Sequence, residues 1–170
     1  MTTLRTSKYI VTTPVTAPSH PIEPAFIKLM DDQRRQGITL DYKPFMIIED
    51  SMVPGALHMG ASWMWKLTGN KPCQTELAHT HPHDELLSFV GTDPEHPHDL
   101  CGKIELWLDG EQHILEQSFH MYVPAGMVHC PLIVHRIDRP IMNYVVISHG
   151  GYSRPWEDDY QNENVKVKKR

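Results

Sequence analysis

From residue 39 onward, short runs of apolar, β-branched and aromatic residues alternate with turn residues. The runs at 39–48, 57–67, 75–81, 85–90, 103–108, 113–115, 120–123, 128–134 and 141–148 have the length and residue types of strands. Asp109-Gly110 between two of them is the strongest hairpin signal, because this dipeptide tolerates the positive φ angles of a tight turn. Many short strands at even spacing predict an all-β sandwich or barrel. Within 57–67, His58, Gly60, Ser62 and Met64 share one face, and Leu57, Met59, Ala61, Trp63 and Trp65 the other. Alternation does not say which face is interior, although Trp63 and Trp65 read as core rather than as a substrate platform.

Ahead of the strands, Phe26, Ile27, Leu29 and Met30 follow Pro24, and Gly37 offers a stop, so one short helix is expected over 24–36. Residues 1–20, rich in Thr, Ser and Pro, read as an arm whose β-like run Tyr9-Ile10-Val11 is suited to a sheet edge. The expected organisation is an arm and short helix at 1–38, a barrel at 39–150 and a peripheral tail at 151–170. The polar segment 91–102 is long for a hairpin connection and is a candidate lid.

A length of 170 residues suits one domain and therefore one site. Net charge is −5, and the only basic cluster is Lys166, Lys168, Lys169 and Arg170, which argues against nucleic acid as a partner. No run approaches the ~20 apolar residues of a membrane span, and Met1 to Lys8 lacks a signal-peptide core, so a cytoplasmic protein is expected. Cys73, Cys101 and Cys130 have no C-x-x-C spacing and read as buried, inert thiols. Histidine is the outlier, with 12 in the chain.

Ala78-His79-Thr80-His81-Pro82-His83-Asp84-Glu85 is the most informative stretch. On a strand, alternate residues share a face and lie ~6–7 Å apart, so His79 and His81 can reach one ion at ~2.1 Å. A straight strand would carry Glu85 roughly 20 Å from His79. Pro82 is disfavoured in a ladder and supplies the turn that lets Glu85 face back. Pro124-Ala125-Gly126-Met127-Val128-His129 makes a second bend, after which His129 is expected to point inward with Pro131 and Ile133. Cys130, following it, should point away. His79, His81, Glu85 and His129 are thus the expected metal ligands, leaving coordination positions open for catalysis. His83 lies in the turn and replaces His81 only if the register slips by two. His96 and His98 read as loop residues, with His98 the candidate catalytic acid or base if the loop folds over the cavity. His58 joins the interior if its face of 57–67 does.

His79-x-His81 with Glu85 and Gly91, followed by Pro124-x-Gly126-x-x-His129, resembles the two motifs of the cupin superfamily across about residues 57–148. The resemblance implies a double-stranded β-helix, the cupin jelly-roll barrel, with a metal near its centre and frequent assembly as a homodimer. Ser118 and Ile133 stand where the second motif has Gly and Asn, and Gly91 falls one residue early. None of these departures removes a ligand.

The leading functional expectation is a metal-dependent enzyme acting on a small oxygenated or aromatic metabolite, most simply an Fe(II)-type dioxygenase. One divalent transition metal per chain is expected, with Fe(II) favoured and Mn, Ni or Zn chemically compatible. The alternatives are a redox-neutral isomerase, lyase or hydrolase using the same ligands, and a non-enzymatic metabolite-binding protein.

Overall fold

Pro24 fixes the first turn of helix α1 (Pro24–Arg35) and basic Arg34 and Arg35 occupy its last turn, where they oppose the negative end of the helix dipole. The computed structural model describes residues 5–15 and 22–148. Among them, nine strands follow α1: β1 (Thr39–Ile48), β2 (His58–Thr68), β3 (Cys73–Glu76), β4 (Glu85–Val90), β5 (Asp99–Leu108), β6 (Glu111–Gln117), β7 (Phe119–Val123), β8 (His129–Ile137) and β9 (Ile141–Ile147). The arm is described in part: Ser7–Tyr9 is a 3-10 turn rather than the start of a β run, and Val15 N–H donates to Phe45 O at 3.2 Å on the edge of β1. The expected tail at 151–170 lies outside the described residues.

The strands form two sheets, β1-β2-β9-β4-β7 and β3-β8-β5-β6, and every pairing between them is antiparallel. Consecutive strands repeatedly cross from one sheet to the other, giving an all-β jelly roll with one helix. Met64, Phe89 and Ile141 from the larger sheet meet Leu100, Ile104, Leu106, Leu132 and Val134 from the smaller in the central core. Helix α1 is fastened to the edge strand β3 by Gln33. Its side-chain amide donates to Gln74 O at 2.9 Å and its carbonyl accepts the Gln74 N–H at 2.7 Å, supplying the two backbone partners that another strand would give.

Asp109 (φ 46) and Gly110 (φ 83) form the tight hairpin between β5 and β6, with Leu108 opposite Glu111. Two expected boundaries move. The segment 91–102 is loop only to residue 98, because Leu100 and Cys101 are buried and carry β5 back to Asp99. On β2 the interior face is His58, Gly60, Ser62 and Met64. Trp63 and Trp65 therefore lie outside the core, where Trp63 packs 6.1 Å from Phe45 and 5.2 Å from Trp65 between ring centroids.

Candidate metal centre

His79 arrives at the site through a break in the ladder. Strand β3 stops at Glu76, whose carboxylate takes the Leu77 N–H at 2.9 Å, so the strand expected over 75–81 is shorter. The chain touches the sheet again at one bridge, where His79 and His129 exchange backbone N–H···O bonds of 3.0 Å in both directions. Two further bonds lace the bends together: Gly126 N–H donates to His81 O and Ala125 N–H to Asp84 Oδ1, each at 2.9 Å. This turn lets Glu85 open β4 facing the histidines.

The result is a buried cluster, with His81, Glu85 and His129 exposed by 2%, 5% and 1%. One ligand atom from each of the three lies within 4.8 Å of the others, and His79, His129 and Cys130 form a second such triad sharing His129. His81 Nε2 and His129 Nε2 are each 3.1 Å from Glu85 Oε2.

The far side of each ring decides its chemistry. Nδ1 of His79 faces Leu77 O at 2.8 Å, Nδ1 of His81 faces His83 O at 2.7 Å, and Nδ1 of His129 faces Met127 O at 3.1 Å. A carbonyl oxygen only accepts, so each Nδ1 carries the hydrogen and, on a neutral ring, Nε2 presents a lone pair. Two such lone pairs beside a carboxylate oxygen repel unless a cation lies among them or the rings take second protons. Ligand atoms held ~2.1 Å from one ion at near right angles stand ~3 Å apart, as these do. The donor set therefore fits a divalent transition metal, and the three carbonyls are the outer partners that orient metal-binding imidazoles.

Burial, the largest influence on Glu85, would raise its pKa, but hydrogen bonds and charge from His129 and His81 bring it down to about 2. Burial likewise opposes protonation of His81, and the adjoining Glu85 carboxylate and His83 carbonyl outweigh it and raise the pKa. His83 stacks flat on His81, with ring centroids 4.4 Å apart and planes 7° from parallel. It supports the His81 imidazole with both its ring and its carbonyl.

Cys130 differs from the expectation that it points away. A bulge in β8 sets the three steps from His129 to Leu132 against the two steps from Leu108 to Leu106 on β5, and Cys130 has φ 65. Strict alternation fails there. His129 and Cys130 are both buried, and Leu132 and Val134 take the interior positions in place of Pro131 and Ile133.

His98 is not brought to this cluster. It is exposed in the loop after the far end of β4, and its carbonyl accepts the Ser118 N–H at 2.7 Å beside the start of β7. The five steps along β4 separate that loop from Glu85 by roughly 16 Å, so the segment is no lid over the ligands. Another histidine does face the interior. His58 is 4% exposed, and its Nδ1 lies 3.2 Å from Glu49 Oε2. Alternation along β2 marked His58 as a candidate, whereas nothing in the spacing of Glu49, at the start of a turn-rich connection, marked it as the partner.

A cavity of about 470 Å³, within the range of small-molecule sites, opens onto His79, Glu85 and His129 and reaches His58. Phe26 and Met30 of α1 and Leu87, Val145 and Ile47 of the sheet make most of its surface apolar. No helix among the described residues is long and apolar enough to cross a membrane.

No family model and no curated protein matches the sequence. Solved structures similar to it include an oxalate oxidase in complex with the substrate analogue glycolate, 11% identical over 84% of this chain and 61% of that one, with a TM-score of 0.43. KdgF from Halomonas sp. is 14% identical over 81% and 94% of the two chains, with a TM-score of 0.39. An RmlC-like cupin from Shewanella frigidimarina NCIMB 400 is 14% identical over 66% and 85%, with a TM-score of 0.37. The chain spans about three fifths of the length of the oxalate oxidase chain. The chain's own two-sheet strand order, with both motif segments meeting at one buried cluster, is an all-β jelly roll, the fold that the motifs implied.

Proposed function

We propose that His79, His81, Glu85 and His129 hold one divalent transition metal and that the chain is a metal-dependent enzyme acting on a small oxygenated metabolite. The observation that carries this reading is the set of three Nδ1 atoms turned to carbonyls, which leaves the Nε2 lone pairs of His81 and His129 directed at the Glu85 carboxylate and that of His79 beside His129. A bound ion would supply Lewis acidity and, if it is Fe(II), a route for electrons to O₂. Glu85 offsets the charge of the ion, and the carbonyls of Leu77, His83 and Met127 hold the ligand rings in place. The mostly apolar cavity wall would limit the water that reaches a bound ion.

Within that class we favour an Fe(II) dioxygenase, because a mostly apolar chamber suits a reaction in which water competes with O₂. A redox-neutral isomerase, lyase or hydrolase is the second reading, favoured by His58 and Glu49: an imidazole oriented by a carboxylate on the cavity wall can move a proton to or from a substrate. Oxygen uptake by iron-loaded protein turning over an oxygenated aromatic or α-hydroxy acid is the expected result. Equal turnover under strict anoxia would remove the dioxygenase reading and leave the second. Exposed Leu57, just before β2, and Met59 and Trp65 on the outer face of that strand support assembly as a homodimer.

A further inference from the structure

The inner face of the larger sheet can be read row by row from its register. His58 and Glu85 both oppose Ile147, Gly60 and Leu87 both oppose Val145, and Ser62 and Phe89 both oppose Asn143. Directly opposed residues project to the same side, so the row beside the ligand Glu85 is Leu87, Val145, Gly60. Two of its members are apolar and the third has no side chain.

Nothing in the backbone asks for glycine at position 60. Gly60 lies inside β2 without a left-handed φ, and a Cβ built there would meet Val145 Cγ1 at 3.4 Å and His58 Nε2 at 3.8 Å, both ordinary contacts. A glycine in a strand interior weakens the strand. Here it leaves room in the cavity between the metal cluster and α1, where Phe26 and Met30 cover the space. Polar groups flank this row: His58 with Glu49 lies at one end, Ser62 accepting from Tyr42 Oη at 2.7 Å lies beyond with Asn143, and Gln33, Arg34, Gln74 and Glu76 line the side of α1 and β3.

Resting on the metal reading above, we infer that the site takes a chelating acid with an apolar body, its oxygens at the metal and its body over Gly60, and that Gly60 sets the size of body admitted. A short acid would leave the row of Leu87, Val145 and Gly60 uncovered. An aromatic or branched aliphatic body fills it and stays in contact with Phe26 and Met30.

Two hydroxamates with the same chelating head separate the parts of this inference. The 170-residue chain is loaded with Co(II), whose visible bands report its coordination, and titrated with acetohydroxamate and with benzohydroxamate. Benzohydroxamate should bind at least about 10-fold tighter, the worth of a few buried carbons, after correction for their affinities for free Co(II). Gly60→Leu should erase that preference while leaving acetohydroxamate within about threefold of its native affinity, by the same area argument. Gly60→Ala, which adds only the Cβ that already fits, should reduce the preference partway and serves if the leucine variant misfolds. Equal affinity of the two probes in the native protein, or a preference undiminished in both variants, would overturn the inference alone. Failure of the native protein to take up cobalt would overturn it together with the metal reading.

Discussion

The pattern His-x-His occurs in two places, at His79-Thr80-His81, where Pro82-His83 extends it, and at His96-Pro97-His98, and the two places lie at opposite ends of β4. At the first, His81 is buried, each imidazole donates Nδ1–H to a carbonyl, and Glu85 and His129 close the cluster. At the second, the His96 side chain is 71% exposed with Asp93 Oδ2 at 3.2 Å, and among the described residues no cluster of possible metal ligands includes His96 or His98. His-x-His is therefore only half a site. What makes the first place a candidate metal site is the lacing of its turn to the bend at 124–126, which sets the lone pairs of His81 and His129 beside Glu85. That preorganisation is the difference to attack experimentally.

The largest effect should come from the ligands. His81→Ala and His129→Ala should each abolish stoichiometric metal in protein purified without a histidine tag, measured by elemental analysis after dialysis. Either loss removes one of the three imidazoles that join Glu85 in the proposed ligand set, and affinity should drop well beyond the 10- to 100-fold typical of losing an outer partner. A full complement of metal in either variant would require another ligand set.

Replacing Glu85 by Gln should act differently in the presence and absence of metal. Without metal, Glu85 has its pKa lowered from 4.5 to about 2, so its contribution is complete above about pH 4.5 and disappears as pH falls toward 2. His81, with its pKa raised above 6.5, contributes fully below that value and loses its contribution as pH rises through the folded-state pKa. Thermal melts of the metal-free protein should thus show this cluster most stabilising between about 4.5 and 6.5, and Glu85→Gln should flatten both flanks. Metal loading should reverse the alkaline flank, because binding requires deprotonated ligands. Unchanged flanks in the glutamine variant would remove Glu85 as their source.

A smaller effect belongs to His83→Ala. Its carbonyl remains to accept from His81, and only the stacked ring is lost, so metal affinity should fall about 10-fold, at the lower end for an outer partner. Loss of all metal would make His83 a ligand in its own right.

Much of the frame was legible because local signals and tertiary packing agree. β1 and β4 have the expected bounds, α1 ends one residue early, and the Asp109-Gly110 hairpin sits where its φ preferences place it. The site's two halves were legible for a related reason: Pro82 and Pro124 mark the bends that end each extended run. Failures occur where a long-range contact overrides the period of two. A side-chain carboxylate ends β3 at Glu76, a bulge turns Cys130 inward, and burial of Leu100 pulls β5 into a segment whose polarity reads as loop. The placement of His98 was beyond a sequence pattern for the same reason, since only the pairing of β4 with β7 shows which end of the barrel its loop occupies.

The smallest expected effect tests the other half of the comparison. In the double variant His96→Ala, His98→Ala, the backbone bond from Ser118 N–H to His98 O is retained, as is the Glu95 N–H donation to Asp93 Oδ1 at 3.1 Å. The imidazole of His96 is mostly hydrated, and exposed ion pairs of its kind with Asp93 contribute little. Stability should therefore change by less than about 0.5 kcal/mol, the usual range for surface substitutions. Metal content should equal that of the native chain, since the loop lies roughly 16 Å from Glu85 along β4. A loss of metal in this variant would mean that the loop folds back onto the ligand end, and the contrast between the two histidine pairs would collapse. Retained metal with impaired turnover would instead return His98 to the reaction while leaving the ligand set intact.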